Sequence, residues 1–219
     1  MPAAHNVTGM LAILLAASTV IGAPSAFAGI DALAPVEQTL ELSIDPRHAP
    51  WQGTFGASLA VRHPTRDVLL RFAGPTITRV EMRDAEGRVD LVWGMRGADS
   101  LRIETRRPLR PGRAELAVSF EGVTDGDLPG LARDETTHRV RLADGAGRVF
   151  PAWPGRQPAT PWTLILHVPR GNTVRSILAR VSLVPWRGWI TLTARSRSTL
   201  GADQLRFQVE PVPVRARGR

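Results

Sequence analysis

The sequence predicts an all-β fold, a sandwich of short strands, and three observations predict it. Runs of about four to nine residues alternate apolar and polar with period two, the pattern of half-buried strands. Clusters of Pro, Gly and Asp punctuate them roughly every eight to twelve residues, the spacing of sandwich turns. Residues 29–213 carry no convincing 3.6-residue period, no fixed repeat and no low-complexity linker, and are expected to form a single β-sandwich domain. The chain has 219 residues, 43% of them hydrophobic, which is enough to bury a real core and excludes a disordered polymer.

Residues 38–44 open the pattern, with Leu40, Leu42 and Ile44 on one face and Thr39, Glu41 and Ser43 on the other. Asp45-Pro46 to Pro50 makes a turn, because proline fixes φ and offers no N–H to a ladder. Trp51-Gln52-Gly53 leads into a strand over 54–63, and Pro64-Thr65-Arg66-Asp67 turns the chain into a short strand over 68–72. Segments 78–83 and 88–93 flank Asp84-Ala85-Glu86-Gly87, a hairpin loop with glycine where positive φ is expected. A strand over 100–104 is followed by the turn Leu109-Arg110-Pro111-Gly112 and a strand over 115–121. Residues 162–168 form a strongly apolar strand, 174–184 one or two strands, and 189–194 and 205–209 finish the pattern. Residues 214–219 are a basic tail.

There is no cysteine, which excludes disulfides, thiol catalysis and Cys-ligated zinc. Tyrosine and lysine are also absent, so all 28 basic residues are arginines and lysine chemistry is excluded. The net charge of +8 is spread singly along the strands with Asp and Glu between, unlike a phosphate-binding stripe. Residues 1–28 read as a secretory signal peptide: an apolar run over 11–21, Pro24, then Ser25-Ala26-Phe27-Ala28 as an A-x-A site. The expected location is periplasmic or secreted, with no integral membrane span in the mature chain and no nucleic-acid partner.

A series of motifs then falls in a known order: Leu40-x-Leu42-x-Ile44-Asp45, Trp51-x-Gly53, Leu109-x-Pro111-Gly112, Phe120-Glu121-Gly122, Gly130-Leu131, Phe150-Pro151 and the strand to Pro169. This order resembles the N-terminal domain of the aminopeptidase N family of zinc metallopeptidases, over nearly the whole mature chain. The resemblance implies a saddle-like β-sandwich that packs on a separate catalytic domain. Departures accompany it. Where the family reads F-P-C-F-D-E-P, this chain has Phe150, Pro151, Ala152, Trp153, Pro154, Gly155 and Arg156, so the acidic pair is gone. The position of the family's substrate-binding glutamine is Val140, and G-L-Y has become Gly130-Leu131-Ala132. Neither G-x-M-E-N nor H-E-x-x-H occurs in the chain.

The candidate chemistry is thin. Of five histidines, His5 belongs to the leader, and His48, His63, His138 and His167 lie more than five residues apart. Asp134-Glu135-Thr136-Thr137-His138 imitates a zinc helix but has Asp in place of its first His and sits between strands, so a solvated loop is expected. The acid pairs Asp84/Glu86, Asp125/Asp127 and Asp134/Glu135 fall in turns, where carboxylates serve the backbone. No serine sits in a G-x-S-x-G elbow. His167 is expected to be buried and hydrogen-bonded. Catalytic residues, metal ligands and cofactors are therefore expected to be none. Among the six tryptophans, Trp93 and Trp162 alternate with apolar neighbours and are expected in the core. Trp153, Trp186 and Trp189, with Arg156, sit at turns and are the candidate partner-binding residues, for a protein or peptide partner. The function this predicts is a non-catalytic binding or accessory module. Two alternatives stay open: an aminopeptidase-related hydrolase or split-peptidase subunit that needs a partner chain, and a truncated gene remnant.

Overall fold

The computed structural model describes residues 32–124, 130–134, 136–142, 146–154 and 159–212. Residues 1–28, where a signal peptide is expected, the basic tail, Asp125, Asp127, Glu135 and Arg156 lie outside the described residues.

The hydrophobic alternation of the sequence becomes three sheets. The largest has eight strands: β1 (Leu33–Ile44), β2 (Pro50–Val61), β4 (Thr76–Asp84), β5 (Gly87–Arg88), β8 (Gly112–Val123), β11 (Trp162–Pro169), β13 (Ala179–Trp186) and β14 (Trp189–Arg195). Their order is β13-β14-β11-β1-β2-β8-β4-β5, with β1 and β11 parallel and the other pairs antiparallel. A three-stranded sheet runs β3 (Thr65–Arg71), β7 (Ser100–Leu109), β6 (Leu91–Arg96). A four-stranded sheet runs β12 (Asn172–Ser176), β15 (Phe207–Pro211), β10 (Arg139–Leu142), β9 (Leu131–Asp134).

One face of the large sheet is apolar, because period two places Leu40, Leu42, Phe55, Leu59, Leu116, Val118, Leu164 and Leu166 on the same side. These residues join Leu70, Leu101 and Ile103 of the three-stranded sheet and Val140 and Val209 of the four-stranded sheet in one hydrophobic cluster. An aromatic group lies at its centre: Phe150 is 5.6 Å from Trp162 and 6.3 Å from Phe55, centroid to centroid. The Phe150-Pro151 corner is tied to β3 by paired backbone bonds between Ala152 and Arg71, at 2.6 and 2.8 Å. Trp162 completes the packing by donating its Nε1–H to the Leu200 carbonyl at 3.1 Å.

Strand bounds differ from the expectation where alternation is broken. β1 starts at Leu33 rather than 38, since a bulge between Pro35 and Glu37 shifts the period and hides the first turn of strand. Trp51-Gln52-Gly53 lies inside β2 rather than leading into it. Gly53 is required there, because a Cβ would come within 2.6 Å of Leu42 and Phe120. Thr65 to Asp67 extend β3 rather than turning. The 174–184 stretch separates into β12 and β13.

Candidate functional site

The expected zinc imitation is a turn. Asp134 ends β9, and its Oδ1 accepts from the backbone N–H groups of Thr136 and Thr137 at 2.9 and 3.1 Å. The Thr137 backbone bond is the main reason its carboxyl is held below the ordinary Asp range. His138, at φ 51°, is the last residue of that turn, just before β10 begins at Arg139. Among the described residues no three His, Cys, Asp or Glu side chains gather as a metal cluster.

Asp84 and Glu86 serve structure in the same way. Arg107, on β7, donates to both Asp84 oxygens at 2.7 and 2.8 Å, and those bonds lower the Asp84 pKa. Glu86 is 3.3 Å from Arg107 and 2.7 Å from Arg110. Because Asp84 ends β4, this fork ties the large sheet to the three-stranded sheet. Asp45 follows β1; burial alone raises its pKa, but bonds from Arg47 and His48 outweigh that and lower it.

The second face of the large sheet is polar and open. His167 is half-buried there rather than buried, and its hydrogen bonding is as expected: Nε2 is 2.8 Å from Glu41 and Nδ1 is 2.9 Å from Thr191. This row crosses β1, β11 and β14 and satisfies every polar atom of the ring. Two shallow hollows continue the face. One, of about 320 Å³, is lined by Glu41, Gln52, Thr54, Ser119 and Glu121. The other, of about 450 Å³, has Gly56, Ser58 and Ala117 below and Glu81, Arg83 and Arg113 at its rim.

The tryptophans separate differently from the expectation. Trp153 is only 8% exposed and belongs to the core, so its ring is not a surface anchor: Ala152 beside it is bridged to Arg71 of β3, at the Phe150 corner. Trp93 is 40% exposed rather than buried. Its side chain has the inward parity of its partner Ile103, but β6 is the outermost strand and overhangs the core, together with Met95. Trp162 is core, as expected. Trp186 and Trp189 lie at the surface, 64% and 37% exposed, flanking the turn Arg187-Gly188. Sequence reasoning missed the β6 edge altogether, because period two reports which face a side chain takes and not whether anything lies opposite. Pro185 inside a strand run was the one available sign that β13 is an edge.

No protein-family model matches the chain, and no curated protein matches it by sequence. Solved structures do. The M1 zinc metallopeptidase from Deinococcus radiodurans matches at a TM-score of 0.67 and 21% identity, over 82% of this chain and 42% of that one. The fold is that of part of an M1 zinc metallopeptidase. A mutant of the Deinococcus enzyme bound to a Tyr-Ser-Ala substrate matches equally, over 43% of its chain. A two-domain M1 zinc metallopeptidase mutant bound to L-arginine also matches at 0.67, again over 43% of its length. The chain thus spans less than half the length of these proteins, and the resemblance carried by the ordered motifs holds at the level of fold. At the position where the resemblance placed a substrate-binding glutamine, Val140 is fully buried in β10.

Proposed function

We propose that this chain is a non-catalytic, periplasmic or secreted contact module that binds a partner polypeptide. One observation carries the reading: β6 is an edge strand with an unbroken ladder to β7, no proline and no bulge, and apolar side chains at Val92, Trp93 and Met95. Such an edge offers main-chain donors and acceptors for one more strand and apolar surface beside them. A partner strand would continue the three-stranded sheet and cover Trp93 and Met95, closing the overhang. The partial span of the M1 structures supports the same reading, since in those proteins the larger part of the chain lies outside the matched fold.

The test is capture on the immobilised protein from an extract of its own compartment, followed by hydrogen exchange on the complex. The expected result is one retained polypeptide that protects the β6 amides and is lost on Trp93→Asp. Retention by the variant, or protection elsewhere only, refutes the assignment of β6. Turnover of aminoacyl-arylamides that tracks bound zinc would refute the non-catalytic reading.

A further inference from the structure

We propose that the β13–β14 hairpin tip is a docking site for an anionic lipid bilayer, independent of the β6 contact. The tip is Pro185-Trp186-Arg187-Gly188-Trp189, and all five residues are exposed. Exposure on both sides of a hairpin end fits a surrounding medium such as a headgroup layer better than one flat protein face. Indoles at a turn suit that layer, where an apolar body and a polar N–H are both accommodated.

The charge agrees. Residues 170–202 contain six arginines and no acid. Arg170 is brought to the tip by its backbone N–H, which donates to the Gly188 carbonyl at 2.8 Å, so the turns at Arg170 and Arg187 share one end of the sheet. Neither arginine has an ion pair among the described residues. Two acids come toward this end, Asp45 by the β1–β11 register and Glu210 by the β12–β15 register, and both are already paired, Asp45 with Arg47 and His48 and Glu210 with Arg139 and Arg175. Arg187 lies over the Trp186 ring at 5.0 Å. It also occupies a left-handed backbone position, φ 43°, followed by Gly188 at 84°. A two-residue turn of this kind favours Asn or Gly at its first position, so arginine is held there against local preference.

The backbone of β13 argues against a strand-adding protein as occupant. Pro185 has no N–H to offer, and a bulge between Arg180 and Ser182 breaks the ladder. What remains available is side chains: Val184, Trp186 and Trp189 with arginines around them.

The experiment is co-sedimentation of the protein with vesicles of phosphatidylcholine alone and of phosphatidylcholine mixed equally with phosphatidylglycerol. Binding is expected to the mixed vesicles only, to weaken with added salt, and to fall about fivefold for each of Arg170→Gln and Arg187→Gln. Brominated lipid should quench tryptophan fluorescence in the wild type and not in the Trp186→Phe/Trp189→Phe variant. These are surface changes, and circular dichroism checks that the fold is kept. Any of three results overturns the proposal: no binding, equal binding to both vesicle types, or an equal loss with Arg62→Gln and Arg96→Gln, exposed arginines away from the tip. Quenching that survives in the double variant overturns it as well.

Discussion

The strands β6 and β13 are both edges, both exposed and both apolar, yet they are built for different neighbours. β6 keeps a continuous register with β7 over Leu91–Arg96, and its side chains split into a core-parity row, Leu91, Trp93 and Met95, and an outward row. β13 is interrupted by a bulge and by Pro185, and its exposed residues lie on both of its faces. The first edge presents backbone with apolar cover, the second presents side chains with the backbone blunted. Apolar exposure by itself therefore does not specify a partner; the state of the ladder beneath it decides whether another strand can join.

The largest expected effect separates both edges from the centre. Trp162 is 1% exposed and packs on Phe55 and Phe150, and its indole N–H is bonded. Trp162→Ala should cost about 3–5 kcal/mol in urea unfolding, through lost burial, a cavity and the loss of one of the two hydrogen bonds that the Leu200 carbonyl accepts, the other coming from the Thr160 N–H. Trp186→Ala should stay within about 0.5 kcal/mol, as surface changes do, and Trp93→Ala, more covered at 40% exposure, should cost about 1–2 kcal/mol. A cost at Trp93 comparable to that at Trp162 would mean that β6 does not overhang the core, and the contrast between edge and centre would fail.

Much of this was legible in the sequence, and the physics of period two says which part. Alternation gave the strands and the buried face of Leu40, Leu42 and Ile44, because side-chain direction is a local property. Ordered motifs gave the fold, including the Phe150-Pro151 corner, whose aromatic ring packs in the core against Phe55 and Trp162. Burial is not local. Trp93 alternates like a core residue and is exposed because β6 is the outermost strand of its sheet, whereas Trp153 looks like a turn residue and is buried beside Ala152, which is bridged to β3. The candidate sites depended on those non-local facts. Trp186 and Trp189 were legible through their neighbours Pro185 and Gly188. The β6 edge was not, since strand order across a sheet leaves no mark on one strand's sequence. The Arg170–Gly188 link was equally hidden, joining residues 18 apart through backbone atoms alone.

A smaller effect sharpens the contrast through pH. The strand that carries β6 is β7, and β7 is pinned to the large sheet by Arg107 on Asp84. The folded state lowers the Asp84 pKa, so this link contributes stability above the unfolded carboxyl pKa and loses it as pH falls through the folded value. No carboxylate pairs with the arginines of the β13–β14 hairpin among the described residues. Acidification should therefore release amide protection in β7 and β6 before β13 and β14. Asp84→Asn should remove that order and cost roughly 0.5–1 kcal/mol near neutral pH, a solvent-screened value, with the difference from wild type vanishing in acid. Simultaneous release of both regions in the wild type would show that the fork does not hold the three-stranded sheet.

The smallest effect bears on the blunting itself. Trp186 and Trp189 flank a two-residue turn and bond to each other, so the next backbone position, Pro185, points away from β14 toward open solvent. Pro185→Val would place an N–H there and lengthen the available ladder, with folding stability changed by no more than about 0.5 kcal/mol. Sedimentation velocity over a concentration series should show more self-association than in the wild type. Val92→Lys, which puts a charge on the intact β6 edge, should show less. If Pro185→Val sediments like the wild type, proline is not what closes the β13 edge, and the bulge at Val181 is left as the barrier. If Val92→Lys also leaves association unchanged, the intact ladder of β6 offers nothing to another strand, and the two edges differ only in their side chains.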